Sequence, residues 1–348
     1  MFKLTPNFKK LAVVFALSQI ISAQSILAAE TMHDKLVVAH RGAPAYLPEH
    51  SLASKTLAYG MGADYLEQDI VLTKDNVPVI LHDHYLDTVT NVAQVFKARA
   101  REDGRYYAID FTLAEIKSLN LTERFNRETG EAIYAGRFPL WKSAFKVPTL
   151  VEEIELIQGL NKSTGKNVGI YPEIKAPAFH LAEGKDISKI VIEILAEYGY
   201  DDKDDAIYLQ CFDWNETQRI RNELGYKGKL VQLLAENSWG ESPDVDYDYL
   251  KTAEGLAAIA KVADGIGPWM TQIVPEFDSN GKPVITDLVK NAHANGLQIH
   301  PYTFRQDSLP KWAKTQEETM QLFLYDIGVD GLFTDFTDVA VKFIENHQ

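Results

Sequence analysis

The stretch that decides the fold runs from Val37 to Asp83, VVAHRGAPAYLPEHSLASKTLAYGMGADYLEQDIVLTKDNVPVILHD. It holds three apolar runs, and each carries charge inside it or at its end: His40-Arg41-Gly42 closes the first, Glu67-Gln68-Asp69 lies within the second, and His82-Asp83 closes the third. Short apolar runs bounded by Gly and Pro read as buried strands. Glu67 and Asp69 are two residues apart, so on a strand they share a face, with Cα atoms roughly 6.6 Å apart. Two carboxylates on an interior face repel one another and lose hydration, so they call for a partner such as a hard divalent cation. Taken singly, an ExD is a solvated edge, a strand-end His a hydrogen-bonded structural residue, and an Arg-Gly a surface turn. Two His, one Arg and two acids at strand ends within fifty residues point instead to a site.

Outward from this stretch, strands and helices alternate. Strand 35–40, a helix over 51–59 and strand 63–73 come first, followed by a short strand over 78–82. From about Tyr85 to Val147 the rhythm breaks into a charged, aromatic segment whose one clear helix, 113–119, follows the cap residue Thr112. It reads as an insertion after the second strand. The alternation resumes with Thr149 and Glu152, a capping box that opens a helix over 151–160. Strands are then expected at 167–173, 206–211, 229–234, 264–267, 297–302 and 331–334. The intervening helices are expected at 187–198, 214–224, 249–262, 284–294 and 317–327, with a last one over 338–346. Eight strand–helix units indicate an α/β chain closed as a TIM (β/α)8 barrel, with a doubly wound sheet as the alternative. In such a barrel the chemistry lies at the carboxyl ends of the strands. There the polar residues His40, His82, Glu173, Lys175, Gln210, Trp269, His300 and Tyr302 fall. Glu173 and Lys175 repeat the i, i+2 spacing of Glu67 and Asp69.

Residues 1–29 read as a signal peptide rather than part of the fold. Lys3, Lys9 and Lys10 precede an apolar stretch from Leu11 to Ala23, and small residues follow up to Ala29. The stretch is short and polar-interrupted for a spanning helix, and no Cys offers a lipid attachment point. The expected product is an exported single domain, 30–348, with no stable membrane anchor. Without the leader, 32 basic residues face 49 acidic ones, a formal charge of −17. That balance disfavours nucleic acid and anionic membranes as partners, and an anionic substrate would need cations gathered locally. Cys211 is the only cysteine, so no internal disulfide supports the fold.

The segments HRG, PEHS, GADYLEQD, PVILHDHYLD, YPEIKAP, LQCFD, HPYTFR and GLFTDF resemble the glycerophosphodiester phosphodiesterase family, in its periplasmic Gram-negative type. The resemblance covers essentially the whole mature chain. It implies hydrolysis of glycerophosphodiesters, such as glycerophosphocholine and glycerophosphoethanolamine, to an alcohol and sn-glycerol 3-phosphate. It implies Glu67, Asp69 and Glu173 as ligands of one divalent cation, His40 and His82 as the acid/base pair, and Arg41 and Lys175 as phosphate contacts. Gln210, Trp269 and Tyr302 are further candidates for substrate contact. Many members carry Asn where this chain has His50, and Glu49 is read as a first-turn acid outside the site. Three carboxylates without a Cys suit Ca2+ or Mg2+ rather than zinc, with Ca2+ placed ahead. The pair His82-x-His84 would serve a transition metal only by leaving the three acids idle. Two other readings compete: a phospholipid phosphodiesterase forming a cyclic phosphate, and a non-catalytic periplasmic binding protein or adhesin. The acidic surface disfavours the first, and the two His flanking the acids disfavour the second.

Overall fold

The computed structural model describes residues 34–347. The predicted leader lies outside the described residues. Among the described residues, eight parallel strands form the barrel wall: β1 (Leu36–Ala39), β2 (Tyr65–Leu72), β3 (Gly169–Ile174), β4 (Tyr208–Cys211), β5 (Lys229–Leu234), β6 (Gly265–Pro268), β7 (Gln298–Ile299) and β8 (Gly331–Thr334). Their hydrogen-bonded order is β7-β6-β5-β4-β3-β2-β1-β8. Backbone bonds between the two ends of that order close the ring: Asp330 N donates to Ile299 O (3.0 Å), Phe333 N to Pro301 O (3.0 Å) and Phe304 N to Phe333 O (2.8 Å). The expected (β/α)8 architecture is therefore the observed one, and the doubly wound sheet is not.

Strand parity explains both faces of the wall. Leu66, Ile70, Ile170, Ile174, Leu209 and Leu230 join the large core shared with the surrounding helices. Residues of opposite parity, Leu36, Val38, Tyr65, Tyr171, Tyr208, Val231 and Phe333, fill the barrel interior. One step up the ladders of β2, β3 and β4 the interior row turns polar, so Tyr65 leads to Glu67 and Asp69, Tyr171 to Glu173, and Tyr208 to Gln210. The register sets Asp69 beside Glu173 and Glu173 beside Gln210. A buried floor lies behind β2, where Lys55 Nζ donates to the carbonyl of Glu67 and to Glu153 (2.9 Å).

The short strand Pro78–Ile80 pairs antiparallel with β2 and stays outside the barrel. The insertion that follows has a helix over Leu113–Ser118, opened by a Thr112–Glu115 capping box. Its Leu86, Val89, Phe111, Ile116 and Leu121 share one apolar cluster with Val71, Val79 and Leu81 of the barrel side. Thr149 and Glu152 form the second predicted capping box, an arrangement worth about 1 kcal/mol.

Several predicted boundaries need correction. The helix expected over 249–262 is two, Tyr247–Leu250 and Ala253–Ile259, because Thr252 accepts from Gly255 N and caps a fresh start. Val284 is not helical: Pro283–Val284 pairs with Glu276–Phe277, and the helix begins at Leu288. The helix expected over 317–327 starts at Gln316 and continues as a π-helix from Gln321 to Ile327. Among the described residues, no helix is long and apolar enough to cross a membrane.

Candidate active site

A cavity of about 260 Å³ opens at the carboxyl end of the barrel, and its lining includes His40, Arg41, Glu67, Asp69, His82, Glu173, Gln210, Trp269 and Tyr302. Nine of the ten sequence candidates thus meet in one place. The tenth, Lys175, is buried against it, with Nζ 2.8 Å from Glu173 Oε1.

Ligand oxygens of Glu67, Asp69 and Glu173 all lie within 4.8 Å of one another, and all three residues are buried. Their surroundings are those of an anionic cluster short of positive charge. Burial, reinforced by Asp69, pushes the Glu67 carboxyl above its ordinary range, and burial likewise raises Glu173 against the pull of Lys175. Asp69 goes the other way, because His50 and Lys175 outweigh the cost of its burial. Glu67 accepts from Arg41 N (2.8 Å) and Gln210 Nε2 (3.1 Å), and Asp69 Oδ2 bonds His50 Nε2 (2.7 Å). Asp69 Oδ1 is buried without a hydrogen-bond partner. Three converging carboxylates, one of them with an unsatisfied buried oxygen, fit a hard divalent cation bound by oxygen.

Each histidine of the candidate pair is held from behind. His40 Nδ1 lies 2.6 Å from Asp335 Oδ1, and His82 Nδ1 lies 2.7 Å from Asp83 Oδ1. In a neutral ring an Nδ1–H that donates to a carboxylate leaves Nε2 as the basic atom. His40 Nε2 sits 3.9 Å from Glu67 Oε2. Burial and the neighbouring Arg41 lower His40 to about 3, so the neutral ring dominates at physiological pH. The backbone of the HRG turn is specialised as well. Arg41 has φ +57° and Gly42 φ +94°, and a Cβ on Gly42 would come within 2.7 Å of Ser54 Oγ. Only glycine fits there. The turn aims Arg41 N at Glu67 while its guanidinium reaches Glu49 (3.1 Å) and approaches Asp69 (3.7 Å).

The insertion supplies the residues behind the two carboxylates. Arg124 bonds Asp83 (2.6 Å) and grips both oxygens of Glu49 (2.6 and 3.0 Å). Arg137 bonds Asp335 (2.6 Å), as does Arg305 (2.8 Å). Sequence reasoning did not find Arg124, Arg137, Arg305 or Asp335, nor the cavity-lining Phe212 and Trp239. For Asp335 a signal existed in the GLFTDF segment, where it follows β8 at the inward parity.

Two further readings are corrected here, those of Glu49 and His300. Glu49 is not a first-turn acid: the helix begins at Leu52 behind the cap Ser51, and buried Glu49 joins Arg41 to Arg124. His300 stays inside the barrel, 2.9 Å from Tyr171 Oη, rather than at the mouth. His84 lies in an aromatic stack with Phe179 and Tyr107, at centroid distances of 4.7 and 5.5 Å.

A sequence model of the Glycerophosphoryl diester phosphodiesterase family matches residues 40–339. A glycerophosphodiester phosphodiesterase of Haemophilus influenzae is 48% identical over 328 residues, covering 90% of each chain. A second, from Treponema pallidum, is 40% identical over 336 residues, covering 91% of this chain and 94% of its own. Among solved structures, a glycerophosphodiester phosphodiesterase from Agrobacterium tumefaciens shares the fold with a TM-score of 0.57 at 19% identity, covering 88% of this chain and 99% of its own. The chain belongs to the glycerophosphoryl diester phosphodiesterase family, and its reaction is the hydrolysis of a glycerophosphodiester.

Proposed function

We propose that the chain hydrolyses glycerophosphodiesters to an alcohol and sn-glycerol 3-phosphate by acid/base catalysis between His40 and His82, beside a divalent cation held by Glu67, Asp69 and Glu173. One observation carries this reading: two imidazoles, each fixed through Nδ1 by its own carboxylate, line the same cavity as the three convergent acids. A binding protein has no use for such a pair.

The divalent ion, Ca2+ ahead of Mg2+, would neutralise phosphate charge and hold the phosphate in place when bound. Arg41 and Lys175 add fixed positive charge, Arg41 with a fork suited to two phosphate oxygens. His40, next to Arg41, takes on Nε2 the proton of the attacking oxygen, either water itself or a glycerol hydroxyl whose cyclic phosphate water then opens, while Asp335 steadies the charge that forms on the ring. His82, protonated on both nitrogens for this step, delivers its Nε2 proton to the departing alcohol oxygen, while Asp83 accepts from Nδ1–H and stabilises the imidazolium. Gln210 orients Glu67, while Trp269 and Tyr302 form the wall against which the substrate rests.

Residues 1–29 would direct the enzyme to the periplasm, so cell fractionation and the mass of the mature chain test that part. The chemistry is tested with purified enzyme and water-soluble glycerophosphodiesters. Release of sn-glycerol 3-phosphate that stops with EDTA and returns with Ca2+ supports the reading. Turnover indifferent to chelation removes the cation from it, and a cyclic phosphate as the end product replaces hydrolysis with transfer.

A further inference from the structure

We infer that a second, smaller cavity is the binding site for the leaving alcohol, and that it favours head groups rich in hydroxyl or carboxylate oxygen over quaternary ammonium ones. The inference rests on the phosphodiesterase reading above.

This cavity measures about 190 Å³ and shares His40, Arg41, His82 and Arg305 with the main one. Beyond those four residues the two diverge. The larger continues to the carboxylates and to an aromatic wall that includes Phe212, Trp239 and Trp269. The smaller continues to Arg124, Ile133, Tyr134 and Arg137. A phosphodiester has two arms on one phosphorus, and in-line displacement sets the leaving oxygen opposite the attacking one. Such a substrate needs two compartments that meet at the reacting groups. The glycerol 3-phosphate arm is common to every substrate and belongs with the strand-borne residues beside the three carboxylates. The variable arm then falls against the insertion.

Hydrogen-bonding capacity on the smaller side is one-sided. Its carboxylates are already engaged: Asp335 bonds His40, Arg137 and Arg305, and Glu49 bonds Arg41 and Arg124. Arg124 spends its three nitrogens on Asp83 and Glu49, but among the described residues Arg137 Nη1 and both Nη atoms of Arg305 keep N–H donors to offer, with the Arg137 head 3.8 Å above the Tyr134 ring. A hydroxyl or carboxylate oxygen arriving here meets donors. A trimethylammonium group meets fixed cations and acceptors already in use. Ile133, 49% exposed, forms the outer rim, where a substitution changes the wall without disturbing the core.

The test uses four esters of sn-glycerol 3-phosphate, with glycerol, inositol, ethanolamine or choline as the second alcohol, and measures kcat/KM for each. Product inhibition by sn-glycerol 3-phosphate reads the other compartment independently. The wild type should prefer the glycerol and inositol esters to the choline ester by about tenfold, the worth of a net hydrogen bond to the extra hydroxyl. Ile133→Glu, which brings a free acceptor to the rim, should shrink that ratio by about fivefold and leave product inhibition unchanged. A wild type that prefers the choline ester, or a ranking that Ile133→Glu does not alter, overturns the inference. So does a ranking that responds to Trp239→Ala instead, because the compartments would then be exchanged. A wild type that releases sn-glycerol 3-phosphate from none of the four overturns the phosphodiesterase reading itself.

Discussion

The barrel mouth and the insertion converge on the same two histidines and hold them by different means. On the barrel side, Glu67, Asp69, Glu173 and Gln210 occupy alternate positions of hydrogen-bonded parallel strands, and their spacing follows from the register. On the insertion side, Arg124 and Arg137 come from a segment with only short helices and reach the site through ion pairs. Backbone ladders hold atoms more rigidly than long side chains do. The contrast assigns the reacting groups to the strands and their immediate loops. In the proposed mechanism the insertion orients Asp83 and Asp335, the carboxylates behind the two histidines, and supplies the far wall.

The largest effect expected is at the barrel side. His40→Ala should lose about 10²–10⁴-fold in kcat with the fold intact. Next, Asp69→Asn and Glu173→Gln should weaken divalent-cation binding by at least roughly 10–100-fold, read by calorimetry and therefore independent of turnover. Unchanged affinity in both variants would remove the acids from the metal site. The insertion should matter less. Arg137→Gln leaves Arg305 on Asp335, so a loss of about tenfold in kcat is expected. A loss as large as that of His40→Ala would erase the distinction between the two regions.

A smaller effect concerns stability. Arg124 holds the carboxyls of Glu49 and Asp83 well below their ordinary values against the cost of burial. A carboxyl depressed in the folded state contributes stability above its unfolded pKa, about 4, and that contribution is lost as pH falls towards the folded value. Arg124→Gln should therefore unfold more easily than the wild type by about 2 kcal/mol at pH 7. The gap should narrow as the pH is lowered from 5 to 2. Denaturant titrations showing a gap independent of pH would mean that Arg124 stabilises by packing alone. In the same series barrel and insertion should unfold together, since Phe111 and Ile116 share their apolar cluster with Val71 and Val79. A fragment spanning 85–147 that melts cooperatively by itself would contradict this.

Much of the barrel side was legible in the residues, because strand parity is a local rule. A strand with Glu67 and Asp69 on one face and Leu66 and Ile70 on the other already states which side faces the core. The insertion side was not legible, for an equally physical reason. Arg137 meets Asp335 across 198 positions and His40 meets Asp335 across 295, and no local period marks such a pair. Parity also does not say how deep a residue lies. His300 and Tyr302 have the same inward parity, yet one bonds Tyr171 inside the barrel and the other lines the cavity. Glu49 was misjudged because Ser51, two residues later, is the true cap and leaves Glu49 free to face the arginines.

The division of labour between His40 and His82 carries the whole account, and one measurement addresses it directly. Turnover of glycerophosphoethanolamine, whose alcohol leaves only with a proton, is compared with that of a p-nitrophenyl phosphodiester, whose phenolate leaves without one. With His82 as the donor, His82→Ala should lose about 10²–10⁴-fold on the first substrate and less than about tenfold on the second, while His40→Ala fails on both. Equal losses for His82→Ala on the two substrates, or rescue of His40→Ala by the activated ester, would contradict the assignment.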